Sequence, residues 1–398
     1  MLSCSQEAPR NVAELCDDDP STSYAMPASR PCRVVFDGFD TPMRSYRVYS
    51  SGEVPAADPA GWVLSGSHDG RKWVELDRRE GCVFCSRFQE ITGRIAEPSN
   101  YTAYKIEFLP REEADTVAVG DVRFYERDRE EAWSGFVYPA VDFEVLDPQT
   151  EGAAIYATLV QDPGAYVRYH TRKVAEILFY SAADTMNTVG KIDYTLKDYA
   201  GVSAKSGNPA ETAIVYSTQH IEKSARESLY KLDYETRGVL FHELVHAYQF
   251  EPKGIGSYST NREFWACIEG LADAVRAEAG LFDIAALRKP GGHWLDGYKT
   301  TGFFLQWLTT MNPDALREFH VTVRDMDVWS FDKAMRAMFG PEKGIEQMRS
   351  KLSNEIFHDE MLSLYQQKDL SYQQVRDTAI EAMGRLIRGM ETGLCHSP

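Results

Sequence analysis

The chain has 398 residues, 43% of them hydrophobic and 12% aromatic, and a formal net charge of −17. It is too long for one ordinary core, so two domains are expected, and its apolar content argues against global disorder. The acidity argues against nucleic acid or an anionic membrane surface as partner, since both need a basic footprint, and there is no apolar run of about 18 residues to span a bilayer.

The first residues, MLSCSQEAP, are too short and polar for an intact signal peptide. Leu2, Ser3, Cys4 and Ser5 look like the tail of a bacterial lipoprotein signal, making Cys4 a candidate lipid anchor. A secreted, periplasmic or cell-surface location is expected. Five of the seven cysteines (Cys4, Cys16, Cys32, Cys82 and Cys85) precede residue 86, and Cys267 and Cys395 follow. Cys82 and Cys85 have CxxC spacing, but no second pair completes a zinc ribbon, so structural thiols or one bridge are expected.

Residues 1–128 read as an all-β sandwich. Runs at 32–36, 45–49, 62–64, 104–108 and 122–125 are rich in β-branched and aromatic residues and separated by turn formers. His68, Asp69, Gly70 and Arg71 mark a hairpin. The charged stretch 126–131 marks a boundary. Residues 135–398 read as an α+β, mostly helical domain. Helical spacing runs over 174–185, 227–250, 261–280, 298–310, 331–339, 344–354 and 372–390, and 211–218 is a strand candidate.

Within the second helical run lies His242-Glu243-Leu244-Val245-His246. Two histidines four apart project from one helix face, and both can reach a tetrahedral Zn2+ at ~2.1 Å. Glu243 sits ~100° round the helix, poorly placed as a ligand but well placed as general base for a water attacking a carbonyl. On the next helix, Glu269 and Asp273 again share a face. Glu269 can be the third metal ligand while Asp273 accepts the free N–H of a ligand imidazole. Gly270 permits close helix approach. Tyr298 can donate its hydroxyl to a developing oxyanion, or can simply begin a buried helix. His293 is a rival for that role or for third ligand, with a surface position as the alternative. His220 reads as a surface residue and Cys267 as a small buried apolar side chain.

The run 237–249 around these histidines resembles the zinc helix of the basic secretory protein family of plant and bacterial peptidases. The segments at 269–280, 294–298 and 329–332 resemble that family too. The resemblance implies a gluzincin-like zincin fold, His242, His246 and Glu269 as ligands, and Glu243 as base. It also implies that a strand before the zinc helix, Ala213 to Ser217, receives the substrate backbone as an edge strand. The acidity of this chain departs from "basic" in the family's name. In the first domain, residues 17–24, 58–62 and 65–73 resemble a discoidin-like, coagulation factor type C module. That resemblance implies possible carbohydrate binding, and the acidic loop at Asp17, Asp18 and Asp19 can supply oxygen ligands to Ca2+. A secreted or surface zinc metallopeptidase acting on proteins or glycoproteins is therefore the expected function. The rivals are a glycan-binding surface protein with a non-catalytic zincin domain, and a zinc hydrolase acting on something other than peptides.

Overall fold

The structure, a computed structural model, describes residues 3–5, 12–128, 130–184, 189–208, 210–287 and 292–368. Nine strands form an N-terminal sandwich: β1 (Ser3–Ser5), β2 (Tyr24–Pro27), β3 (Cys32–Asp37), β4 (Ser45–Ser50), β5 (Gly61–Ser67), β6 (Val74–Glu80), β7 (Glu90–Arg94), β8 (Ala103–Leu109) and β9 (Thr116–Tyr125). One sheet has the order β1-β3-β8-β5-β6 and the other β2-β9-β4-β7. In β3 the residues Cys32, Val34 and Phe36 face inward while their neighbours are more exposed, the alternation of a half-buried strand. The core between the sheets joins Phe36, Trp62 and Tyr104 of the first to Tyr46, Val48 and Val119 of the second. Trp62 Nε1 donates to the Tyr46 hydroxyl at 2.7 Å, which donates onward to Asp77 at 2.7 Å, so the buried polar atoms find partners. The expected hairpin joins β5 to β6: Gly70 takes φ 69°, and Asp69 accepts from the Arg71 and Lys72 amides at 2.8 Å each.

Four more strands, β10 (Ala140–Val145), β11 (Lys191–Lys197), β12 (Ser203–Asn208) and β13 (Glu211–Ser217), make a third, mixed sheet in the order β10-β11-β13-β12. Between β10 and β11 the chain forms α1 (Glu151–Leu159) and α2 (Pro163–Leu178), the crossover that a parallel pair requires. The expected strand at 211–218 is β13, but its expected role at the sheet edge is overturned. It pairs with β11 on one side and β12 on the other, so its backbone groups are spent within the protein. The antiparallel edge is β12 instead.

Helices α3 (Thr218–Ala225), α4 (Leu229–Tyr248), α5 (Arg262–Glu278), α6 (Ile284–Leu287), α7 (Tyr298–Leu308), α8 (Ala315–Asp325), α9 (Phe331–Phe339) and α10 (Ile345–Lys368) follow among the described residues. The helix expected over 174–185 is α2, which starts earlier because Asp162 accepts from the Ala165 amide and Pro163 takes the first turn. It stops at Leu178. The helix expected over 372–390 lies outside the described residues. Two compact units emerge, one of residues 1–172 with 181–240, the other of residues 173–180 with 241–398. Cys32, Cys82, Cys85 and Cys267 are free thiols, so none of these four forms the bridge considered from the sequence. Among the described residues no helix is long and apolar enough to cross a membrane.

Candidate metal centre

The C-terminal half of α4 is held by apolar burial: Phe241, Leu244, Val245, Ala247 and Tyr248 are all inside. This fixes the helix rotation and leaves His242 and His246 side by side on one face, their rings 4.7 Å apart and perpendicular. Helix α5 begins at Asn261, whose side chain accepts from the Glu263 and Phe264 amides. It carries Glu269 and Asp273, both buried. Gly270 works as expected: a Cβ there would stand 2.4 Å from Thr301 Cγ2 on α7. Gly302 returns the favour, since its Cβ would stand 2.9 Å from Asp273 Cβ.

Three atoms converge. His242 Nε2 lies 3.1 Å from His246 Nε2 and 3.3 Å from Glu269 Oε2, and His246 Nε2 lies 3.7 Å from that same oxygen. Glu269 Oε2 is buried and has no hydrogen-bond partner. Ligand atoms ~2.0–2.1 Å from a tetrahedral zinc stand ~3.3–3.4 Å from one another, so the group has the dimensions of one face of that tetrahedron. Among the described residues these three form the one cluster of His, Cys, Asp or Glu able to hold a metal ion. Their chemistry fits as well. Asp273 Oδ1 is 2.8 Å from His242 Nδ1, so Nδ1 donates and Nε2 turns its lone pair to the centre.

The electrostatics favour a cation. Burial alone would lower the His242 pKa, but the carboxylates of Asp273 and Glu269 outweigh it and push the imidazole up to about 10, with Glu243 adding its charge. Burial would raise Glu269, yet its contacts with His242 and His246 hold it well below the usual carboxylate range. Three buried carboxylates against two imidazoles leave an excess of negative charge that a divalent ion neutralises.

Glu243 is buried next to His242 in the sequence of α4. Tyr298 is brought there too. Its ring stacks on His242 with centroids 5.9 Å apart at 11°, with Trp265 edge-on at 5.6 Å. Burial and the charge of Glu269 raise its hydroxyl pKa. Its φ of 41° is strained for a residue with a side chain, and it follows Gly297 at φ 69°, packed against the Trp265 ring. Thr301 secures the turn, accepting from the Gly297 amide at 2.8 Å and donating to Trp294 O at 2.6 Å.

The other histidines take no part in the metal cluster. His293 accepts from the Leu295 amide at 3.1 Å within its own loop, and His220 lies half-buried in α3, 3.9 Å from Glu235. Cys267 is a buried thiol. In the acidic loop, Asp17 accepts from the Asp19 amide and the Thr22 hydroxyl, and Asp19 from Ser21, so these carboxylates are engaged locally. Two site residues were missed in the sequence. Gln249 lies 2.6 Å from His246 Nδ1, and the Tyr258 hydroxyl donates to Glu269 Oε1 at 2.5 Å. Gln249 carried a signal, its place three residues beyond His246 on one helix face. Tyr258 carried none, since it sits in the loop before α5.

Residues 138–352 match the family described as "Peptidase of plants and bacteria", BSP, which spans more than half of the 398 residues. A 116-residue stretch is 28% identical to a peptide-N(4)-(N-acetyl-beta-glucosaminyl)asparagine amidase of Arabidopsis thaliana, covering 27% of this chain and 16% of that protein. Among solved structures, an F5/8 type C domain of a Bacteroides fragilis protein is 13% identical, with 32% of this chain and 91% of that chain covered at a TM-score of 0.28. CBM32-1 from a family 31 glycoside hydrolase of Clostridium perfringens is 12% identical, covering 31% and 93% at a TM-score of 0.26. The metal cluster lies inside the matched segment, and the chain belongs to the BSP family of peptidases of plants and bacteria.

Proposed function

We propose that this chain is a zinc-dependent peptidase of the zincin class, gluzincin-like in drawing its third ligand, Glu269, from the helix that follows the HExxH helix. The observation that carries this is the set of separations at the centre, 3.1, 3.3 and 3.7 Å, among His242 Nε2, His246 Nε2 and Glu269 Oε2. Zinc, when bound, supplies a Lewis acid that polarises a scissile carbonyl and makes water more acidic. Glu243 takes the proton of the attacking water and delivers it to the leaving amine. The Tyr298 hydroxyl donates to the carbonyl oxygen as negative charge develops there. Asp273 holds His242 in the tautomer that offers Nε2.

Glycoproteins are the substrate class we put first. The support is the stretch shared with an amidase whose name specifies a glycosylated asparagine, although this chain spans 16% of that protein's length. The residues 1–128 are then a glycan-binding module and 135–398 the peptidase domain, in a secreted or surface-held protein with Cys4 as a lipid anchor.

The test is Glu243→Gln. It is expected to keep stoichiometric zinc by metal analysis and to lose ~10²–10⁴-fold in casein or glycoprotein digestion. Undiminished digestion by that variant removes Glu243 from its role. Wild-type digestion that survives a strong chelator removes zinc from the reaction.

A further inference from the structure

Each of the three inward-facing side chains has a second polar atom pointing away from the centre, and each of those atoms is met by a different residue. Asp273 Oδ1 meets His242 Nδ1 at 2.8 Å, the Gln249 amide meets His246 Nδ1 at 2.6 Å with Nε2 the nearer atom, and the Tyr258 hydroxyl meets Glu269 Oε1 at 2.5 Å. The first contact comes from α5 and the second from the residue just past the end of α4. The third comes from the loop that joins them. We propose that Gln249 and Tyr258 are positioning residues that set the zinc affinity of the site, each through the ligand it touches. The inference rests on the metal reading above.

The chemistry is specific about what each residue must do. An imidazole that offers Nε2 to a cation keeps its proton on Nδ1. Gln249 must therefore accept from His246, with its amide turned oxygen-first. The oxygen and nitrogen ends of an amide have nearly the same shape, so that turn needs no new space. Gln249 is buried, with a relative exposure of 6%, so water does not substitute readily for the lost contact. Tyr258 does the converse. Its hydroxyl is a donor to Oε1, which keeps that oxygen engaged and leaves Oε2, buried and without a hydrogen bond, as the atom facing the two imidazoles. A carboxylate with one oxygen pinned presents the other in a single direction, which favours one-oxygen ligation and a four-coordinate ion over a two-oxygen grip. Tyr258 is 45% exposed, so the pin stands at the mouth of the site.

The experiment uses the full chain and zinc alone as probe, in competition with a chromophoric chelator at fixed pH and salt. Gln249→Met and Tyr258→Phe are each expected to weaken zinc binding by ~10–100-fold. Gln249→Glu restores an acceptor at similar volume and is expected to bind zinc within about threefold of wild type, on the same ligand-support argument. Cobalt in place of zinc gives a second readout: its visible band is expected to change in intensity in Tyr258→Phe as Glu269 loses its fixed direction. Wild-type affinity in Gln249→Met, or in Tyr258→Phe with an unchanged cobalt spectrum, overturns the assignment of that residue. An equal loss in Gln249→Glu and Gln249→Met overturns the acceptor argument, since that points to packing rather than to a hydrogen bond. If wild type itself cannot compete with the chelator, the metal reading fails, and that outcome is distinct from variants that match a tight-binding wild type.

Discussion

A buried imidazole away from the candidate metal centre, His320, ties three segments of the helical unit together. Its Nδ1 donates to Leu178 O at 3.2 Å, its Nε2 accepts from the Phe250 amide at 2.8 Å, and its ring stacks on Phe250 at 4.5 Å. Both nitrogens are committed only in the neutral form. Burial accordingly lowers its pKa to about 4. The unfolded chain takes up this proton near the ordinary ~6.5 and the folded chain only near 4, so the unfolded state binds more protons in between. The stability that His320 lends is complete above ~6.5 and is lost as the pH falls toward 4, a total of about 3 kcal/mol. Urea unfolding of wild type and His320→Gln between pH 7 and 4 checks this. The variant should show the shallower decline, and parallel curves would count against the assignment. Single residues were also where the sequence was most informative. His242, Glu243 and His246 could be read because a helix turns local spacing into shared direction. Glu269 and Asp273 could be read for the same reason, one helix later. Gln249 carried a faint signal in its spacing from His246, whereas Tyr258 gains its meaning only from Glu269 opposite it, which spacing along the chain does not encode.

At the scale of elements, α5 and α7 approach so closely that each needs a glycine at the crossing. A methyl group on Gly270 would meet Thr301 Cγ2 at 2.4 Å and Cβ at 2.6 Å, and the second of these atoms cannot swing away. Gly270→Ala is expected to cost about 1–3 kcal/mol from overpacking, despite the better helix propensity of alanine. Gly270→Val should cost more, and both should weaken zinc retention because Glu269 is the adjacent residue. Thermal unfolding with and without zinc measures both effects, and an unchanged midpoint in Gly270→Ala would refute the close crossing. The periodic elements of the sandwich and the helices α4, α5, α7 and α9 were legible, since each has one face against a core. Less was visible in α1, β10, β11 and β12. In β11 the inward residues Ile192, Tyr194 and Leu196 do alternate with polar neighbours, but over a run of 7 residues, short enough to be read either way. Strand order was not visible at all. Whether β13 is central or at an edge depends on where β12 returns, and hydrophobic alternation is the same in either case.

For the whole molecule, the sequence suggested a boundary in the charged stretch near residue 130, but the first compact unit runs past it to Arg172. The reason is a seam built on Arg87. Its guanidinium is 1% exposed and forms a paired contact with Asp58 at 2.7 and 2.6 Å. Its amide donates to Leu159 O at 2.9 Å, and Cys85 O accepts from the Gln161 amide at 2.8 Å. Removing one member of a buried pair strands the other, so Arg87→Met is expected to cost about 3–5 kcal/mol, and adding Asp58→Asn should recover part of it. Denaturant titration of the single and double variants decides this, and additive losses would refute the pairing argument. The same seam bears on how the protein meets other proteases. A nick near residue 130 should therefore not set the N-terminal sandwich free. The two fragments should migrate together on gel filtration and separate only in denaturant.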